Sequence, residues 1–236
     1  TCHGDLSGPP LQVLIGGGCG AQGRSYASND HDGTGDAVTG EFAGLADDQL
    51  IANIGGSGLY GYIDYQGGDG NDVVLTILIY VTNTNDSGAG SLRQAIADAN
   101  SDADNDTIFF DASLATETIT LTSGEVVINT DMVIEGLGAD QLTISGGGNS
   151  RIFNIDDSNG SNQLSVEISG VTLTQGDAVG LMGGAIINRE DLTILDSVLT
   201  GNEALGGGAI HNDAGQLTVG NSTLSGNTAG ANSGGA

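Results

Sequence analysis

The chain has 236 residues, 42 of them glycine and only 2 proline, with 4% aromatics and no tryptophan. Its 30 Asp and Glu stand against 4 arginines and no lysine, a net charge of −26. Such a surface repels nucleic-acid phosphates and anionic membranes; the most apolar run, Val73–Val81, is strand-length and far short of the about 20 residues that span a bilayer. Neither nucleic acid nor membrane insertion is therefore expected.

Residues 1–40 are rich in Gly, Asp and Ser and show little periodicity. Both cysteines, Cys2 and Cys19, fall here, and neither a Cys-x-x-Cys nor a His-x-x-x-His spacing supports a metal site with His3 or His31. An acidic, lysine-free chain suits a calcium-rich or saline exterior, with acidic solubility free of specific ion binding as the competing reading. In such an extracellular context a Cys2–Cys19 disulfide is the natural reading and contributes about 3 kcal/mol in the chain-entropy view. Residues 41–81 read as short strands, Leu50–Ile54, Leu59–Tyr65 and Val73–Val81, separated by Gly-rich turns.

The third region, residues 82–236, opens with a helix near residues 91–100. Ser91-Leu92-Arg93-Gln94 has the form of a capping box, and Leu92, Ala95, Ile96 and Ala99 share one helical face. Strand-like segments follow at Thr107–Phe110, Thr118–Thr122, Val126–Asn129, Met132–Glu135, Leu142–Ser145 and Ile152–Ile155. From there a repeat is legible. Gly183-Gly184-Ala185-Ile186-Ile187-Asn188 returns 24 residues later as Gly207-Gly208-Ala209-Ile210-His211-Asn212 and restarts at Gly234-Gly235-Ala236. Leu192-Thr193-Ile194 and Val198–Asn202 return 25 residues on, at Leu217-Thr218-Val219 and Thr223–Asn227. Short alternating segments between Gly/Asn turns at this period mark an all-β parallel solenoid, in which each coil buries its apolar face only against its neighbours. The helix is expected to cover the first coil. Because Ala236 interrupts a repeat, the sequence is expected to be a piece of a longer or processed chain, its last coil covered by further repeats of the same chain or by self-association.

Asn188 and Asn212, like Asn202 and Asn227, recur at the coil period and are expected to form a structural ladder of stacked amides. Thr118-Ile119-Thr120-Leu121-Thr122 has the Thr-x-Thr pattern of ice-binding faces, but no recurrence from coil to coil is expected, which sets that reading aside. Asn129-Thr130-Asp131 and, 25 residues later, Asp156-Asp157 are spaced to bring carboxylates together on adjacent coils, as glycoside hydrolysis requires. Asn-Thr-Asp and Asp-Asp resemble motifs of pectin-hydrolase-like proteins, but the Gly-His-Gly and the lysine that accompany them in that family are missing here, so these carboxylates are read as turn residues and no catalytic residue is assigned.

Gly-Gly-Ala-Ile followed by Leu199-Thr200-Gly201-Asn202 and then Leu224-Ser225-Gly226-Asn227 resembles the polymorphic outer membrane protein repeat, with leucine in place of that family's phenylalanine. Gly90-Ser91-Leu92-Arg93-Gln94-Ala95-Ile96 is similar to the Cys-Ser-Leu-Arg-Glu-Ala segment that precedes right-handed β-helices in large bacterial surface proteins. Gly replaces Cys, and Gln replaces Glu. This resemblance covers residues 82–236 and implies a right-handed parallel β-helix on the outside of a bacterial cell. Residues 41–76 resemble the closing portion of repeats in giant bacterial exoproteins. Gly67–Leu75 also fits the calcium-binding nonapeptide, with Asp69 and Asp72 as candidate oxygen ligands; with a single copy present, a hairpin turn is the competing reading.

The function expected from these features is a non-enzymatic extracellular structural or adhesive β-solenoid. It would be a segment of a surface protein, sheath or filament, meeting cell-surface or matrix polysaccharide and needing no cofactor, calcium apart. The alternatives are a polysaccharide-degrading β-helix enzyme of the pectin hydrolase or lyase kind, and a calcium-dependent binding module.

Overall fold

A computed structural model describes residues 25–28, 50–54, 59–67, 72–101, 105–160 and 163–230. The chain divides into two compact units, residues 1–79 and 80–236. Cys2, Cys19 and Asp69 lie outside the described residues.

The first unit is antiparallel. Strands β1 (Ser25–Ser28) and β3 (Leu59–Gly67) both pair with β4 (Asp72–Val81), and β2 (Leu50–Ile54) pairs with β3. Glycine-bounded runs rich in Ile, Val, Leu and Tyr favour extended backbone. Gly67 and Asp72 face each other across the β3–β4 pair, so the segment between them joins antiparallel strands.

The second unit is a right-handed parallel β-helix with one short helix, α1 (Leu92–Ala99), before it. Ser91 caps α1, its Oγ accepting from the Gln94 N–H at 3.2 Å. The Gln94 side chain does not return to Ser91 as a capping box requires; its Nε2 donates to Asp98 Oδ1 at 2.8 Å, one turn on. Leu92, Ala95, Ile96 and Ala99 are buried. Leu92 and Ile96 together supply about 4 kcal/mol of apolar burial, far more than an eight-residue helix could gain from propensity.

Four parallel sheets form the coils. The first sheet stacks β5 (Asp106–Phe110), β8 (Met132–Glu135), β11 (Ser165–Ser169), β15 (Asp191–Leu195) and β19 (Leu217–Gly220). The second stacks β6 (Glu117–Thr120), β9 (Leu142–Ser145), β12 (Thr172–Thr174), β16 (Val198–Thr200) and β20 (Thr223–Ser225). The third stacks β7 (Val126–Ile128), β10 (Phe153–Ile155), β14 (Ile186–Asn188) and β18 (Ile210–Asn212). The fourth, to which the described residues of the first two coils contribute no strand, stacks β13 (Asp177–Met182), β17 (Glu203–Gly206) and β21 (Thr228–Ala229).

Parallel in-register pairing sets like on like, about 4.8 Å apart. Ile108, Ile134, Ile168 and Ile194 form one fully buried column, and Ile119, Ile144, Leu173 and Leu199 another. In these sheets alternate residues point inward, which is why the sequence alternates at period two within each short strand. Tight turns need glycine where coils touch: a Cβ on Gly184 would come within 2.1 Å of the Gly208 carbonyl oxygen.

The exact Thr-x-Thr pattern recurs once in the stacked strands, at Thr172–Thr174, but the register aligns it with hydroxyl-bearing residues on the other coils. Register places Thr118, Thr143, Thr172, Val198 and Thr223 in one outward column, and Thr120, Ser145, Thr174, Thr200 and Ser225 in the next. Loops of unequal length between coils hide this alignment from any fixed-period reading.

Candidate functional site

The carboxylates singled out as a possible catalytic pair lie where the coil turns after the third sheet. The Asp156 N–H donates to the Ile128 carbonyl of the preceding coil at 3.0 Å. Beside it the structure gathers Asp156, Asp157 and Glu190, whose ligand oxygens all lie within 4.8 Å of one another. Each is already engaged. Asp156 Oδ2 accepts from Arg189 Nη1 at 3.0 Å and Oδ1 from the Ser158 N–H at 2.7 Å. Asp157 Oδ1 accepts from the Asn159 N–H at 2.6 Å. Glu190, only 3% exposed, accepts backbone N–H groups of Asp157 at 3.2 Å and Leu164 at 3.0 Å. A buried carboxylate is tolerable only when satisfied in this way. Glu190 was missed in the sequence because the run Arg189-Glu190-Asp191 looks like an ordinary polar turn; its position just after the buried Asn188 was the available signal.

The other half of the supposed pair is separate. The Asn129 N–H and the Thr130 hydroxyl are directed to Asn100 and, for Thr130, also to the Ala99 carbonyl. Asp131 Oδ1 accepts from the Ser165 N–H of the next coil at 2.7 Å.

The arginines of the second unit act as clamps between coils. Arg151, 6% exposed, donates Nη1 to Glu125 Oε2 at 2.9 Å and Nε to the Gly183 carbonyl at 3.0 Å. Burial lowers its pKa from the ordinary guanidinium value, Glu125 opposing and Arg189 adding to the shift. Glu125 Oε1 also accepts from Asn154 Nδ2 at 2.9 Å. Arg189 joins Asp156 of the coil before its own to Asp213 of the coil after it, at 3.0 and 3.1 Å. Arg93 binds Asp86, Gly124 and Glu125 at the first coil.

The amides at Asn188, Asn212, Asn202 and Asn227 are brought together pairwise. Asn188 Nδ2 donates to Asn212 Oδ1 at 2.6 Å, and Asn202 Nδ2 to Asn227 Oδ1 at 2.9 Å. Asn202 also binds backbone, accepting from the Gly176 N–H at 2.8 Å and donating to the Leu173 carbonyl at 3.1 Å. Of Asp72 only the backbone at the start of β4 is described.

The hydroxyl columns of the second sheet are the other surface with a distinct chemistry. Glu117 is the one charged residue in its five strands. Thr118 and Thr223 are exposed, and Thr174 and Thr200 half-buried. Two sites are closed: the Thr172 hydroxyl donates to the Ala139 carbonyl at 2.6 Å, and Ser145 is buried, donating to Gln175 Oε1 at 2.9 Å. Those closures and Val198 break the flat regularity that ordering an ice lattice would need. What remains is an uncharged strip of methyls and hydroxyls on a strongly acidic chain. No described helix is long and apolar enough to cross a membrane. Comparison with known proteins finds no matching family model, no matching curated protein and no matching solved structure.

Proposed function

We propose that the chain is a non-enzymatic structural or adhesive β-solenoid, a segment of a large bacterial surface protein, sheath or filament that works outside the cell. One observation carries this reading: the arginines and carboxylates around the coils hold neighbouring coils together. Arg151, Arg189, Asp131, Asp156 and Glu190 all bridge coils. An acid and a base committed to such contacts are poorly placed to move protons for a sugar. Arginines paired with carboxylates likewise offer little to an acidic polysaccharide. The resemblance of the Gly183–Asn188 and Gly207–Asn212 repeats to polymorphic outer membrane proteins, and of Gly90–Ile96 to the segment before surface β-helices, supports the same setting.

Adhesion in this reading uses the hydroxyl strip of the second sheet. Its partner is a neutral, hydroxyl-rich polymer, a cell-surface or matrix polysaccharide, which can settle there without stripping water from carboxylates. Further repeats or a second copy would cover Val219 and Leu224, which are 42% and 36% exposed in the register of buried Ile194 and Leu199.

The test is incubation with a panel of soluble and insoluble polysaccharides. The expected outcome is no new reducing ends and no unsaturated products, with retention on a neutral insoluble polymer that Thr174→Glu with Thr200→Glu abolishes. Turnover lost in Asp156→Ala and Asp157→Ala would overturn the proposal in favour of an enzyme.

A further inference from the structure

Stacked coils leave a row of unpaired backbone groups at each end, a ready template for a strand from another molecule. In the first coil β7 has β10 on one side. On its other side no described strand pairs with it, and side chains stand in place of one. Asn100, the C-cap of α1, donates Nδ2 to the Val127 carbonyl at 2.8 Å and accepts the Asn129 N–H on Oδ1 at 3.1 Å. These two bonds flank Ile128. A residue of an additional parallel strand opposite Ile128 would give its N–H to the carbonyl before Ile128 and take the N–H after it. The Asn100 carboxamide therefore stands for the peptide of a missing coil.

The turn before β7 is closed in the same manner. Arg93 donates Nη2 to the Gly124 carbonyl at 2.6 Å and Nη1 to the Glu125 carbonyl at 2.9 Å. Asp86 accepts the Thr122 N–H at 3.0 Å and the Ser123 hydroxyl, and Arg93 in turn binds Asp86 Oδ1 at 3.1 Å. From Thr122 to Asn129 the edge is met by three side chains from one short segment, Asp86, Arg93 and Asn100. Apolar packing of α1 alone would cover the coil interior without satisfying any of these groups.

We infer that Asp86, Arg93 and Asn100 form an edge-blocking device that keeps β7 from taking up a strand of a second copy of this chain, so that the solenoid cannot be extended from its helix-covered end along this sheet. An adhesive solenoid would gain from this by meeting other surfaces through its flanks.

Asn100→Ala and Asn100→Asp test the inference in the intact chain. Alanine frees both backbone groups and adds no charge beside Ile128. Aspartate cannot donate to the Val127 carbonyl and opens that bond, but its charge itself repels an added strand. In sedimentation velocity at matched concentrations, Asn100→Ala is expected to form larger species than the parent, while Asn100→Asp sediments as the parent does. Hydrogen exchange at the Asn129 amide should be protected in the parent. Equal sizes for the parent and Asn100→Ala would overturn the inference, and so would equal enlargement of both variants, which signals lost folding and not an opened edge. Should Asn100→Ala fail to give the parent's circular dichroism, Asn100→Ser, which keeps a polar C-cap but cannot make both bonds, repeats the comparison with the same criteria.

Discussion

Asn202 donates its side-chain amide to the carboxamide oxygen of Asn227, one coil further on, at 2.9 Å, while the Gly176 N–H of the coil before donates to Asn202 Oδ1. One buried side chain thus touches three successive coils. Replacing Asn202 by alanine strands the buried Gly176 N–H, at a cost of about 1–3 kcal/mol, and removes a second donor from the Leu173 carbonyl, which keeps its place in the β12–β16 ladder. The expected loss for Asn202→Ala is about 3 kcal/mol by urea unfolding. Asn227→Ala, at a half-buried position, should cost about 1 kcal/mol.

Glycine is required for two separable reasons, and two substitutions distinguish them. Gly184 has no positive φ, but a Cβ there would meet Gly208 O at 2.1 Å, Glu203 O at 2.7 Å and Glu203 N at 2.8 Å, all of them backbone. Backbone cannot swing aside as a side-chain tip can, so Gly184→Ala is expected to cost about 3 kcal/mol or more. Gly148 has φ +68° and open space around its would-be Cβ. Gly148→Ala should cost only about 1 kcal/mol, the conformational penalty alone. Thermal melts of the two variants side by side read the difference.

Much of this architecture was legible because apolar columns repeat. The Ile and Leu positions of the first and second sheets recur with Gly/Asn turns between them, and a parallel coil is the arrangement that buries each against its copy. The fourth sheet was not legible: Asp177–Met182 and Glu203–Gly206 carry small and exposed residues, with only Ala178 and Ala204 as an inward column. The helix was readable from its spacing, whereas the role of Asn100 was not. Its partners lie 27 and 29 residues away, and no local pattern announces a side chain that imitates a strand. Glu190 and the Glu125–Arg151 pair were hidden for the same reason.

The Arg151–Glu125 pair gives an asymmetric prediction. The Arg151 side chain is 7% exposed and that of Glu125 33%. Removing the carboxylate leaves a guanidinium buried with only a carbonyl for company, a loss of about 3–5 kcal/mol for Glu125→Ala. Removing the guanidinium leaves a carboxylate that can turn partly to water and still holds Asn154. Arg151→Met, which keeps the packing stem, is therefore expected to cost less, about 2 kcal/mol. Chemical unfolding of both variants should give this order; the reverse order would mean that the arginine's stem and its bond to Gly183, and not the charge pair, dominate.

Asp86 makes the helix-covered end sensitive to acid. Burial alone would raise its pKa, but hydrogen bonds from the Ser123 hydroxyl, Arg93 and the backbone of Thr122 and Ser123 outweigh that and hold it well below the ordinary 3.8. A carboxylate with a depressed folded value contributes stability that is complete above its unfolded value and is lost as pH falls toward the folded one. Asp111, lowered by the Ser113 hydroxyl and backbone, acts in the same direction. Unfolding free energy measured by urea titration should therefore fall between about pH 5 and pH 2. In Asp86→Asn the stability at neutral pH should be lower, because one acceptor is lost, and the slope across that range shallower. Hydrogen exchange adds a local readout: at acid pH the Thr122 amide should lose its protection before the Ile134 and Ile168 amides of the central coils. A variant with the parent's slope would show that Asp86 titrates alike in the folded and unfolded chain and that acid acts elsewhere.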